Sequence, residues 1–429
     1  MYPIMASVLV LLACSAPRKA IKPADELQSL INDSALLHAH VGIMVTDASN
    51  MKTIAAFNEH RYFVPASNTK LWTCYAGMKY LGDSLVAGYL QPQDESTVLL
   101  KSNGDPTFLH PDYAGHPLAD ALKKYKTVQW QNATMQTTEY GNGWSWNDYD
   151  ATYMTPRSSL PLFGNVATYA VKNGALVSEP AAALGLVGNA GNFKDTALRI
   201  FRKFDDPYFT VMDQGRAKRV TTTLFLTPQS ASQLAAVHLG NDWFFDRKAA
   251  AAGTWKAVYS QPTDSMLKPL MHRSDNFFAE QTLLMISNQW FGVMNENKVI
   301  DSLLKADLRA LPDKPRWADG SGLSRYNLFT PADYIWLLRQ MQQEFPMERL
   351  KEILPTGNDG TLTNYYKSLE GKLFAKTGTL AGVVALSGYM YAKSGKLLLF
   401  STIVNNHNGA APAVRRAVEK YLLTVWEKN

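Results

Sequence analysis

Behind Asp25, a good helix N-cap, apolar residues recur at Leu27, Leu30, Ile31 and Leu37, a spacing that predicts an opening helix. The pattern then shortens to Val41 to Thr46 and Thr53 to Phe57, which read as two strands joined by the turn-forming Asp47-Ala48-Ser49-Asn50. Next comes Phe63-Val64-Pro65-Ala66-Ser67-Asn68-Thr69-Lys70, followed at once by an apolar run from Leu71 to Met78; a buried helix is expected to begin near Ser67. From about Gly82 to Tyr259 the segments are short and broken by Gly, Pro, Asn and Asp. Strands are predicted at Val98 to Lys101, Thr127 to Gln131, Phe209 to Met212 and Thr221 to Leu226, with a short helix over Pro228 to Val237. This stretch is too long for a loop and is read as one or two inserted subdomains.

Helical spacing returns over Asp264 to Met271 and over Asn276 to Trp290, where Ala279, Leu283, Ile286 and Trp290 share one side. Pro331 starts another helix through Gln343, at a position where its missing N–H costs nothing. The chain then alternates Lys372 to Thr379, Gly382 to Tyr391 and Lys396 to Asn405, an antiparallel meander, and closes with a helix over Ala411 to Trp426.

Composition narrows the class. The 429 residues, 46% of them hydrophobic, suffice for two or three cores. The net charge of +6 is dispersed along the chain, with no basic block of the kind a nucleic-acid arm carries, so nucleic acid is not an expected partner. Residues Ile4 to Ala13 form an apolar run too short to span a bilayer, ending in Leu11-Leu12-Ala13-Cys14. It resembles a bacterial lipoprotein signal in which Cys14 is lipidated, although no Lys or Arg precedes the run. Residues 15–24 then read as a tether, and the expected location is the periplasm, at a membrane surface. The other cysteine, Cys74, reads as a core residue, so neither a disulfide nor a metal site is expected.

Ser67 and Lys70 lie three apart, which on a helix places a hydroxyl and an ammonium on one face. The same spacing recurs at Ser49/Lys52, Ser265/Lys268 and Ser302/Lys305, so it does not select a nucleophile by itself. Two downstream triplets do: Ser274-Asp275-Asn276 at the mouth of a helix, and Lys376-Thr377-Gly378 in the first strand of the terminal meander. Together, in this order, the three match the pattern of serine β-lactamases and penicillin-binding proteins.

The longer context resembles the class C low-molecular-mass penicillin-binding proteins, the D-alanyl-D-alanine carboxypeptidase/endopeptidases of the type-4 penicillin-binding protein family. The resemblance extends through Ser102-Asn103-Gly104-Asp105-Pro106-Thr107, Gly143-Trp144-Ser145-Trp146-Asn147-Asp148, Asp319-Gly320-Ser321-Gly322-Leu323-Ser324-Arg325 and Asp359-Gly360-Thr361-Leu362. It implies an α+β fold: a penicillin-binding, serine β-lactamase-like domain, an antiparallel sheet flanked by helices, over 25–90 and 255–429. Large β-rich subdomains inserted between the first two motifs would fill 91–254, after a signal over 1–14.

The resemblance also implies roles. Ser67 would be acylated by the penultimate D-alanine carbonyl of a peptidoglycan stem peptide, with Lys70 as its base and no cofactor. A lysine serves only if its pKa falls well below the usual ~10.4, which burial and the neighbouring Lys376 cation would both favour. Ser274 would relay a proton to the leaving amine and Asn276 would orient Lys70. The edge formed by Lys376, Thr377, Gly378 and Thr379 would hold the terminal carboxylate. Backbone N–H groups of Ser67 and Thr379 would form the oxyanion hole. Asp148 would bind the free amine of a stem-peptide side chain, and Arg325 would line the same pocket. β-Lactams would acylate Ser67 and leave slowly. Two alternatives remain at this point: a serine β-lactamase, against which stand the lack of a convincing deacylating acid and a Ser-Asp-Asn motif where the class C β-lactamases have Tyr-x-Asn, and a wall-binding or sensor protein that has lost turnover.

Overall fold

In the terminal meander, strand residues alternate between two buried environments, and this decides the architecture. Leu399, Ile403, Ala385 and Tyr389 belong to one hydrophobic cluster, while Leu398, Phe400, Val404, Val384, Leu386 and Met390 belong to another. A sheet covered on both faces reads as continuous apolar runs, because neither parity of the strand is left to water. Each such aliphatic side chain contributes about 1.5–3 kcal/mol on burial.

The computed structural model describes residues 25–131, 134–190, 197–213, 215, 217–246 and 253–429. Its central sheet has five antiparallel strands in the order Leu373–Leu380, Val383–Tyr391, Leu397–Asn405, His40–Asp47 and Thr53–Phe57. On one face lie helices Lys70–Tyr80, Thr263–His272, Asn276–Phe291 and Pro331–Glu344; on the other, the closing helix Ala411–Lys428 packs with Asp25–Ile31. The fold is thus α+β, with the hairpin and the meander joined through His40–Asp47 against Leu397–Asn405.

Three expectations are corrected. The opening helix ends at Ile31, so Leu37 falls outside it and is 62% exposed, while its neighbour Leu36 takes the buried place. Asn276–Phe291 is not amphipathic: every residue from Phe277 to Asn288 is buried, including Glu280 and Gln281, while the expected stripe residue Trp290 is partly exposed. Such a helix runs through the middle of the molecule, where a one-sided pattern has no meaning. The strand expected over Thr221 to Leu226 is Arg219–Thr223.

The insertion carries its own five-stranded sheet, in the order Asp242–Asp246, Thr127–Gln131, Thr97–Ser102, Ser84–Pro92 and Lys256–Pro262, with two three-stranded sheets beside it over a shared core. Its first and last strands in chain order, Ser84–Pro92 and Lys256–Pro262, pair with each other, so the chain passes between the two bodies near Asp83 and Thr263, outside the expected limits of 91 and 254. Cys14, the signal over 1–14 and the tether over 15–24 lie outside the described residues.

Candidate active site

Three backbone segments meet where the apolar run begins. Residues Ala66–Thr69 form a turn of 3₁₀ helix that feeds into Lys70–Tyr80. In a 3₁₀ turn residues three apart eclipse one another, which brings Lys70 over Ser67 more directly than an α-helix would. Asn68 ties this turn to the sheet by donating to Ser387 Oγ at 2.8 Å. Two glycines permit the close packing around it. A Cβ at Gly378 would lie 2.4 Å from the Pro65 carbonyl, and one at Gly322, whose φ is +83°, would lie 2.0 Å from the Ala66 carbonyl. Any side chain at either position would push the motif strand or the glycine-rich loop away from Ser67.

Lys70 Nζ donates to Ser67 Oγ at 3.0 Å, to Asn276 Oδ1 at 2.5 Å and to the Ser321 carbonyl at 2.6 Å. Its side chain is fully buried, and burial brings its pKa down to about 8 against the opposing pull of the Asp319, Glu280 and Asp275 carboxylates. An amine so tuned is neutral in a useful fraction near neutral pH and can take a hydroxyl proton at this distance. The other Ser-x-x-Lys serines are placed differently. Ser49 sits in its turn with its hydroxyl on Asp47, and Ser302 bonds back to the Lys298 carbonyl of its own helix.

The second pair stands opposite. Lys376 Nζ donates to Ser274 Oγ at 2.9 Å and to the Thr377 carbonyl at 2.9 Å. Burial, then repulsion from Lys70, hold the Lys376 ammonium well below the usual lysine range. Ser274 adopts φ +60°, uncommon for a non-glycine residue, and it does not cap the following helix. Asp275 does so, accepting from Phe278 N at 3.0 Å. Ser274 is thereby free to face Lys376 and the cleft.

That cleft has a volume of about 790 Å³, and Ser67, Ser274, Asn276, Thr377, Thr379, Asp148 and Arg325 all line it. Gly378 and Lys376 are behind its wall: the glycine allows the strand's close approach, and the lysine is fully buried. Asp148 is half-buried and, after burial itself, is the main cause raising the pKa of the Tyr153 hydroxyl beside it. Its neighbour Asp150 is exposed and does not line the cleft. Arg325 donates to the Ala381 carbonyl at 2.8 Å.

Several residues of the site carry no legible mark in the sequence. The inserted region enters it through Tyr153, whose carbonyl accepts from Asn276 Nδ2 at 2.7 Å, and through Trp144, whose indole N–H donates to Asp319 at 2.9 Å. Arg157, fully buried, donates to Glu280 at 2.6 and 3.0 Å and to Glu296 at 2.9 Å. The other oxygen of Glu280 accepts from Ser321 N at 2.7 Å, and the Ser321 carbonyl in turn accepts from Lys70. Asp319 holds the glycine-rich loop by accepting from the backbone of Gly322 and Ser324. Arg415, on the closing helix, donates to Thr379 Oγ1 at 2.7 Å and lines the cleft. Trp144 and Asp319 stood inside segments that carry the resemblance; Tyr153, Arg157, Glu280 and Arg415 did not.

The chain is 26% identical to a D-alanyl-D-alanine carboxypeptidase of Actinomadura sp. (strain R39), over 92% of this chain and 83% of that protein. It is 23% identical to the D-alanyl-D-alanine carboxypeptidase DacB of Haemophilus influenzae, over 94% of this chain and 92% of the relative. The crystal structure of penicillin binding protein 4 from the same organism superposes with a TM-score of 0.74 at 19% identity, over 95% of this chain and 100% of that one. A predatory peptidoglycan endopeptidase from Bdellovibrio bacteriovorus shares the fold at a TM-score of 0.53 and 14% identity, over 91% and 94% of the two chains. The family model of the D-Ala-D-Ala carboxypeptidase 3 (S13) family matches residues 24–187 and 243–425. With that match covering most of its length and both serine–lysine pairs within it, the chain belongs to the S13 family of serine-type D-Ala-D-Ala carboxypeptidases.

Proposed function

We propose that the protein is an exported D,D-peptidase of the bacterial wall that works through an acyl-enzyme on Ser67. Lys70 takes the Ser67 proton as the oxygen attacks the penultimate D-alanine carbonyl of a stem peptide. The oxyanion is held by backbone N–H groups of Ser67 and Thr379, a contribution of about 3 kcal/mol per donor. Ser274, beside Lys376, hands a proton to the departing amine, and water then releases the shortened peptide. Endopeptidase action on a cross-link is the same reaction with a larger leaving group. The observation that carries this reading is the fully buried Lys70 standing 3.0 Å from the Ser67 hydroxyl on the cleft floor.

The test is intact mass spectrometry after incubation with a penicillin, followed by peptide mapping. One adduct on the peptide containing Ser67, together with D-alanine release from a peptide ending in D-Ala-D-Ala, is the expected result. An adduct on any other residue overturns the mechanism.

Asp148 is proposed to receive the free amine of the stem peptide's third residue. Asp148→Asn should raise KM for peptides bearing that amine by about tenfold or more, the ~1.5–3 kcal/mol of a charged hydrogen bond, and leave peptides without it unchanged. Equal KM changes for both peptides would remove Asp148 from the specificity pocket. Lipidation of Cys14, which would hold the enzyme at a membrane, is the remaining part of the proposal. It predicts loss of membrane-fraction recovery in Cys14→Ser cells.

A further inference from the structure

The charge facing the carboxylate end of the cleft is not the one the motif supplies. Lys376 is sealed behind the wall, with its ammonium on Ser274 Oγ and the Thr377 carbonyl. Burial and the repulsion of Lys70 both disfavour its charged form. Thr377 and Thr379 reach the cleft as neutral hydroxyls, and Thr377 Oγ1 is already engaged with Thr361 Oγ1 at 2.8 Å. The charged side chains in the cleft lining are Asp148, Arg325 and Arg415. An acidic group at Asp148 repels a carboxylate, and Arg325 is turned onto the Ala381 carbonyl beyond the end of the strand.

Arg415 is placed differently. It projects from the first turns of Ala411–Lys428 and donates to Thr379 Oγ1 at 2.7 Å. Its guanidinium lies 5.8 Å from the Tyr365 ring centroid, a contact that favours one position of the fork. Among the described residues the bond to Thr379 is the one hydrogen bond this guanidinium makes, and the side chain lines the cleft, which leaves further N–H groups for a ligand there. A planar fork with several N–H groups matches a carboxylate in a way that a single hydroxyl does not.

Resting on the D,D-peptidase reading above, we infer that Arg415, seated on Thr379, is the residue that binds the free C-terminal carboxylate of the substrate and makes the enzyme select peptides that end in one. By fixing Thr379 Oγ1 it also orients the hydroxyl that shares the carboxylate. Lys376 then acts on Ser274 and the proton path, and the specificity for a free chain end lies on a helix outside all three motifs.

The experiment compares acylation by a penicillin, which carries a carboxylate, with acylation by its methyl ester, followed by intact mass, in the wild type, Arg415→Gln and Arg415→Lys. The wild type should react faster with the acid. Arg415→Gln should slow the acid by about tenfold or more and leave the ester rate unchanged, so that the preference is lost; Arg415→Lys should fall between. Equal slowing of acid and ester would mean a structural role only, and an undiminished preference in Arg415→Gln would mean no role; either overturns the inference. If the wild type takes no penicillin at all, it is the D,D-peptidase reading that fails, whatever the variants do.

Discussion

Lys70→Met is expected to slow acylation of Ser67 by a penicillin by roughly 10³-fold, within the 10²–10⁴ range typical of a positioned general base. The substitution keeps much of the buried aliphatic stem and removes the amine that contacts Ser67 Oγ, Asn276 Oδ1 and the Ser321 carbonyl. The wild type supplies the matching pH test. Burial holds Lys70 at about 8 in the folded protein, and only the neutral amine can accept the serine proton. The acylation rate should therefore rise with pH, tenfold per unit well below 8, and level off above it. Lys70→Met should lose this limb along with the rate. Stopped-flow acylation between pH 6 and 10 decides the matter, and a flat wild-type profile across that range would exclude Lys70 as the titrating base.

Arg157→Met carries the second large effect, this time on stability. Arg157 is buried between Glu280 and Glu296, and removal of one partner of a buried charge cluster typically costs about 3–5 kcal/mol because the others are left uncompensated. A fall of that size in unfolding free energy, read from the denaturant midpoint, is expected. The variant should also move the active site. Without Arg157 the Glu280 carboxylate, one of the groups that raise the pKa of Lys70, faces Lys70 with no guanidinium to balance it. The alkaline limb of acylation should then shift to higher pH. Destabilisation with an unshifted limb would mean that Arg157 only packs the junction between the insertion and the helices. Arg157→Met combined with Glu280→Gln should recover part of the lost stability, since one buried carboxylate has gone with its partner.

The local pattern carried much of the architecture. The hairpin, the helix after Ser67, the meander and the closing helix all stand within a few residues of where period and turn chemistry place them. What blurred was burial from every side. Asn276–Phe291 offers no amphipathic stripe to read, because its polar residues Glu280 and Gln281 are inside with the apolar ones, satisfied by Arg157 and by the backbone of Gly104 and Ser158. The insertion blurred for another reason: its sheet is closed by Ser84–Pro92 and Lys256–Pro262, strands more than a hundred and fifty residues apart in the chain, and no local signal specifies such a pairing.

By itself the sequence determined the order of the three motifs, the serine–lysine spacing, the glycines that let Ser67, the loop at Gly322 and the strand at Gly378 approach one another, and hence the class of chemistry. Those are properties of residue type and short separation, and they survive without knowledge of the fold. Only the tertiary structure decided which groups surround that chemistry. It buried Lys70 and Lys376 close enough for the Lys70 charge to disfavour that of Lys376, set Arg157 and Glu280 behind the Ser321 carbonyl, and brought Arg415 from the last helix onto Thr379. Burial and electrostatic coupling depend on distances through space between residues far apart in the chain, and those distances exist only once the sheet and its helices have closed around the site.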